Sequence, residues 1–331
     1  MNNYQKTLSK KRNWIILIII VAFLLFVVDL FTGPAKINIS NINSIFDTTS
    51  KENVIFFNLR LPQSLTAIAV GLSLGLCGAV MQTILSNPLA SPFTLGISSS
   101  ASFGASLFLI LGFPVIYVTT GALFFSLLAT AFVYMIGKKM QMNTYSMVLS
   151  GIAIKFLFDS LLSLVQYKAS DETLEYIVFW IFGSLNRTNY SQIILIFISF
   201  LIAFIYIFKN SWKLTAMRFG EERAMALGVN TKKIKSISLI LISIVTAVSV
   251  SFCGTIGFIG LSSPHIARKI VGEDQRYYLS MSALIGSVIL LISSILSKTI
   301  KPGAIIPVGI ISSLIGIPFL IYAIIDNKDK G

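Results

Sequence analysis

Apolar residues in this chain come in long unbroken runs rather than in alternation. Runs near 20 residues, the length that crosses a hydrocarbon core of about 30 Å, recur from end to end. Inside lipid a span must satisfy its own backbone, which a helix does and an open strand does not. The pattern predicts spans over 14–32, 64–84, 93–111, 115–137, 143–166, 190–208, 234–253, 276–297 and 305–325. Polar stretches at 33–62 and 167–189 and a long basic loop at 209–233 separate some of them. The segment GFIGLSSPHIARK is too short to span at about 1.5 Å per residue. Its glycines and Pro264 suit a broken or close-packed return helix, the eighth in order. The expected fold class is all-α polytopic membrane protein, with about ten transmembrane helices. A single transmembrane domain covers 1–331, because no soluble domain fits in loops this short.

The first run resembles a signal peptide at its start. Its apolar stretch exceeds a signal core of about 7–15 residues, and no small-x-small cleavage site follows. It reads as an uncleaved first helix.

Charge orients the bundle. With both termini cytoplasmic and ten crossings, the inner pieces are 1–13, 85–92, 138–142, 209–235, 268–276 and 326–331. They hold 18 of the 26 basic residues. Seven lie outside (Lys36, Lys51, Arg60, Lys168, Arg187, Lys298 and Lys301), and Lys155 lies within a span. This is the positive-inside bias. It explains the net charge of +13 without nucleic acid. Hydrophobic residues make up 55% of the chain and charged ones only 12%, against about 25% charged in soluble domains. Cys77 and Cys253 both fall in apolar runs and read as small buried hydrophobes. A single histidine, His265, excludes a histidine-rich metal site. It lies near the inner edge, where a structural or interfacial role competes with a ligand or proton carrier.

Three further features bear on function. No GxxxxGK[ST] phosphate loop is present, so ATP hydrolysis by that route must come from a partner. Lys155 and Asp159 are four apart and share a helix face. Either they neutralise each other, or Lys155 faces a pathway through the membrane and attracts an anion. In the loop 209–233, Gly220 and Gly228 punctuate a short segment with Ala224, Met225 and Leu227 exposed at helical spacing.

Four blocks carry a family resemblance. RLPQSL covers 60–65, GLCGAVMQTILSNPLASPFTLGISSSASFGA covers 75–105, and FGEERAMALGV covers 219–229. GTIGFIGLSSPHIARKIVGED covers 254–274 and goes with IPVGIISSLIGIPFLIY at 306–322. Together, in order, they resemble the membrane permease subunits of ABC importers for iron-siderophores, haem and cobalamin. The resemblance implies the type II ABC importer permease fold in the cytoplasmic membrane, ten helices per subunit and a homodimer or a heterodimer with a sister permease. It implies two cytoplasmic ATPase subunits that bind the ATP, and an external substrate-binding (lipo)protein. It implies no cofactor and no enzymatic activity in this chain. Gly220, Glu221, Ala224, Leu227 and Gly228 would then form the ATPase coupling segment. Arg60 and Lys298, both expected at the external surface, would receive acidic side chains of the binding protein. Departures stand at Gln63, Ser294, Lys298 and Ile305, where the family often has arginine, an acid, arginine and glutamate.

Within the second block, Asn87, Pro88 and Pro92 break one apolar run into two helices. The small residues after them, Ser98, Ser99 and Ser100 among them, allow close helix packing or line a pathway for a bulky chelate. An ion-coupled secondary transporter would need deep carboxylates, and Asp159 is the only one; Asp29 reads as interfacial. A membrane enzyme lacks the carboxylate pair or cysteine–histidine cluster for acid–base or metal chemistry.

Overall fold

The computed structural model describes residues 2–34, 45–47, 49–301 and 303–328; Lys36 and Lys330 of the charge count lie outside them. Every regular element among the described residues is helical.

Helix α1, Asn2–Phe31, starts among the basic residues, twelve positions before the expected span. Ile16, Ile20, Phe23 and Leu24 leave one of its faces exposed, as a lipid-facing helix requires. Helix α2, Lys51–Val54, begins where Ser50 accepts a bond from the Asn53 amide. It runs through a π-helical turn, Ile55–Arg60, into α3, Leu61–Ile84. Part of the stretch expected to be turn-rich is therefore helix, with Pro62 directly after the π-helical turn, and Tyr190 Oη donates to the Phe57 carbonyl.

Helix α3 is the buried centre. A Cβ on Gly71 would stand 2.4 Å from the Ser287 Cα, and one on Gly78 only 1.8 Å from the Gly260 carbonyl oxygen. Backbones meet there because no side chain intervenes. After α3 the chain turns through Ser86 (φ 43°), forms a 3₁₀ turn at Pro92–Leu95, and enters α4, Ile97–Ile110, from Gly96 at φ 78°.

Helices α5 (Val115–Lys139) and α6 (Thr144–Lys168) follow. Helix α7, Asp171–Ile181, occupies the stretch expected to be merely polar. Ser170 caps it, Asp171 and Glu172 fill its first turn, and Ile177 and Trp180 are buried. Then come α8 (Tyr190–Lys209), α9 (Ser211–Arg218), α10 (Glu221–Ala226) and α11 (Thr231–Cys253). The chain breaks at Gly254–Phe258, with Phe258 itself left-handed at φ 65°, before α12, Ile259–Val271, the expected return helix. Helices α13 (Gln275–Thr299) and α14 (Val308–Lys328) complete the order.

Among the described residues, seven helices are long and apolar enough to cross a bilayer, and α4 and Val308–Pro318 are shorter apolar segments. Cys77 and Cys253 are free and fully buried.

Candidate functional site

Three regions gather the residues singled out from the sequence. The first is the basic loop, which folds into α9 and α10. Gly220 (φ 108°) and Gly228 (φ 79°) take left-handed backbone at the two ends of α10, with open space around both. They are needed there because L side chains rarely adopt that region. Phe219, Met225 and Leu227 are more than half exposed, at 66%, 52% and 65%. Ala224 differs from the expectation: it is fully buried. The helical spacing was right, but its phase turns Ala224 inward, and the apolar surface consists of Phe219, Met225 and Leu227. Glu221 reaches back to the Lys235 ammonium at 2.8 Å. On α9, Arg218 pairs with Glu273, which also lies 3.3 Å from the Arg268 guanidinium. Thr215 Oγ1 accepts the Gln275 amide.

The second region is where the C-terminal ends of α1 and α13 meet the start of α3. Lys298 and Arg60, expected at the surface, are buried at 4% exposure each. Lys298 Nζ lies 2.8 Å from Asp29 Oδ1, and Ser64 donates to the other oxygen at 2.5 Å. Asp29, expected at the interface, is fully buried. Arg60 donates to the carbonyls of Leu30 and Thr32 at the end of α1. These charges point inward because each finds a partner there, and an unpaired buried charge is far costlier than a paired one. Arg60 and Lys298 do wall a cleft of about 200 Å³, together with Asn58, Gln63 and Asn186.

The third region lies around the 3₁₀ turn. A cleft of about 450 Å³ is lined by Ser98, Thr255, Ser313, Gly257, Gly309 and Phe93, among others. Ser99 is half-buried and absent from that lining. Ser100 is fully buried and donates to the Gly96 and Ile97 carbonyls at 2.9 Å, so it packs rather than lines. Lys155 and Asp159 do pair, at 2.7 Å, with side chains 42% and 39% exposed. Lys155 lines a different cleft of about 340 Å³, beside Asn87, Thr94 and Ile152. Phe93 borders both clefts.

His265 holds this region to the return helix: its Nε2 lies 3.1 Å from the Pro88 carbonyl oxygen. That contact joins α12 to the turn after α3.

Sequence reasoning missed α7, the Asp29–Lys298 pair and Lys235. Two of these left a signal. Ser170-Asp-Glu before apolar residues at 174, 177, 178 and 181 is a helix start. Asp29 and Lys298 were both placed at outer helix ends with opposite charge.

Comparison with known proteins agrees with this arrangement. A Methanocaldococcus jannaschii protein described as an ABC transporter permease, MJ0087, is 36% identical over 338 residues, covering 97% of each chain. A Helicobacter pylori protein described as an iron chelatin transport system permease is 33% identical over 279 residues, 84% of this chain and 85% of the relative. A solved structure described as a metal-chelate type ABC transporter, in an inward-facing conformation, superposes with a TM-score of 0.87 at 28% identity. It covers 95% of this chain and 99% of that one. The description FecCD transport family matches residues 18–326, and the chain belongs to that family.

Proposed function

We propose that this chain is the permease subunit of an importer that carries an iron-siderophore-like chelate across the cytoplasmic membrane. A separate ATPase drives it and an external binding protein feeds it. The observation that carries the reading is α10. A short helix between two left-handed glycines exposes Met225 and, at its end, Leu227, next to Phe219 at the end of α9, on a basic loop, in a chain without a phosphate loop. An exposed apolar patch rimmed by polar residues is a protein contact surface. Gly220, Glu221, Leu227 and Gly228 then dock the ATPase, with Ala224 anchoring α10 to the bundle. A stiff helical pair passes nucleotide-driven movement on as a rigid-body motion.

Ten crossings come from the seven long helices together with α4, α12 and α14, of which α4 and α12 are short, at 14 and 13 residues, and α14 has a short apolar part, Val308–Pro318. Both termini are then cytoplasmic, in keeping with the basic inner loops. The outer cleft walled by Arg60 and Lys298 is where the binding protein makes contact. The pathway runs past Ser98 and the α6 face of Lys155 and Asp159, between this chain and a second permease subunit. The chelate class is supported by what the H. pylori relative and the metal-chelate transporter are described as carrying.

The test is reconstitution with the ATPase and binding protein in liposomes, with ferric citrate, haem and cobalamin as separate probes. ATP-dependent ferric citrate entry that persists with an uncoupler is expected. Entry of haem or cobalamin alone would move the substrate to that class. Entry abolished by the uncoupler would overturn the ATPase-driven reading in favour of ion coupling.

A further inference from the structure

The turn between α5 and α6 is strained. Gln141 (φ 55°) and Met142 (φ 58°) are consecutive non-glycine residues in the left-handed region. Such backbone persists only where surrounding contacts over-determine it. Backbone bonds to α5 hold it, from the Met142 amide to the Gly137 carbonyl at 2.7 Å and from the Gln141 amide to the Lys138 carbonyl at 3.2 Å, and two lysines at the start of α11 add side-chain contacts. Lys232 Nζ lies 3.0 Å from Gln141 Oε1, and Lys235 Nζ lies 3.4 Å from the Met142 carbonyl oxygen. The Lys235 ammonium also meets Thr144 Oγ1 at 3.1 Å and Glu221 Oε2 at 2.8 Å. Its side chain is only 3% exposed. An ammonium has three donors, and here a carboxylate, a hydroxyl and a carbonyl take one each.

We infer that Lys235 is the positioning residue that makes α10 and the α5–α6 turn move as one body, and so passes ATPase movement to α6. The inference rests on the transport reading above. A buried ammonium cannot lose its partners cheaply, so α10 cannot be displaced through Glu221 without displacing the turn or breaking the cluster. Asn143, immediately after the turn, caps α6 by accepting the Ser146 amide. Helix α6 then runs unbroken to Lys168. On the way it grips the 3₁₀ turn: a Cβ on Gly151 would stand 2.6 Å from Leu95, and one on Gly96 2.9 Å from the Lys155 amide. A shift at the start of α6 therefore reaches the turn that bears Phe93, the residue bordering both clefts. Helix α9 has separate ties, through Thr215 and Arg218, to Gln275 and Glu273 on the α12–α13 side. Lys235 is thus specific to the α6 side.

The test uses the complete transporter in liposomes, with ferric citrate as the probe. Lys235→Met is expected to keep ATP hydrolysis while ferric citrate moved per ATP falls about two- to thirtyfold, the range of residues that modulate coupling without touching ligand. Lys235→Arg keeps the charge and should recover most of the ratio; Glu221→Gln should lower it in the same direction. Nitroxide labels at Arg223→Cys and Tyr145→Cys add a direct reading, since Cys77 and Cys253 are fully buried. In the parent, the label distance should be the same without nucleotide and in the vanadate-trapped state. In Lys235→Met it should differ between the two states. A parental transport ratio with an unchanged label distance would overturn the inference, as would equal loss of hydrolysis and transport. If Lys235→Met fails to insert, Glu221→Gln decides by the same criteria. A parent that hydrolyses ATP but imports no ferric citrate would defeat the substrate reading, and the label distance would still decide this one.

Discussion

Removing Lys298 tests whether the junction of α1, α3 and α13 is held by a buried charge cluster. Lys298→Met deletes the cation 2.8 Å from Asp29, in a pair whose side chains are 1% and 0% exposed. Breaking a buried pair by deleting one partner costs about 3–5 kcal/mol, because the other charge stays buried. Ser64 still donates to Asp29 at 2.5 Å, and the charge of Arg60 acts on the same carboxylate. The expected loss is therefore at the lower end, about 3 kcal/mol. Lys298→Met with Asp29→Leu removes both charges and leaves Ser64 without its acceptor, a cost of about 1 kcal/mol, while Arg60 keeps only the Leu30 and Thr32 carbonyls. The double variant should thus recover part of the loss. Lys155→Met is the control: its pair is about four-tenths exposed, so the carboxylate it leaves unpaired is far less buried than Asp29. The assay is thermal unfolding in detergent, read by a thiol-reactive dye on Cys77 and Cys253, which are inaccessible until the fold opens. The order of stability should be parent, then Lys155→Met, then the double variant, then Lys298→Met. If Lys298→Met unfolds no earlier than Lys155→Met, or the double variant unfolds before the single, the cluster does not hold the bundle together.

Leu227→Asp should insert normally yet lose ATPase co-purification, because it puts a charge in an exposed apolar contact. Ala224→Asp should instead lower the unfolding temperature, because it buries an unpaired carboxylate. His265→Gln should leave substrate binding intact, since an amide N–H can replace the bond to the Pro88 carbonyl; a change in the spectrum of bound haem would refute a structural role. Gly78→Ala should abolish folded protein in detergent chromatography, because its Cβ would stand 1.8 Å from the Gly260 carbonyl oxygen and no flexible group can give way. Wild-type elution of that variant would refute the close backbone crossing.

The runs of apolar residues determined the membrane class and most helix positions. This follows because lipid requires each span to carry about 20 apolar residues of its own, a property of local sequence. The break at Asn87 to Pro92, the return helix and the absence of a phosphate loop were legible for the same reason: proline, glycine and short motifs act within a few residues. The phase of a six-residue helix is not local information. Ala224 and Leu227 are both apolar, and only packing of α10 on the bundle turned one in and left the other out. Nor could position along the chain separate Ser98, which lines a cleft, from Ser100, which packs two residues later. The largest departures concern charge. Arg60, Lys298 and Asp29 lie at helix ends, where sequence alone reads them as facing water. The tertiary fold brought Asp29 and Lys298, 269 positions apart, within 2.8 Å. Burial of a charge is decided by whether a partner arrives from elsewhere in the chain, and Lys235, with Glu221, Thr144 and Met142 around it, was decided in the same way.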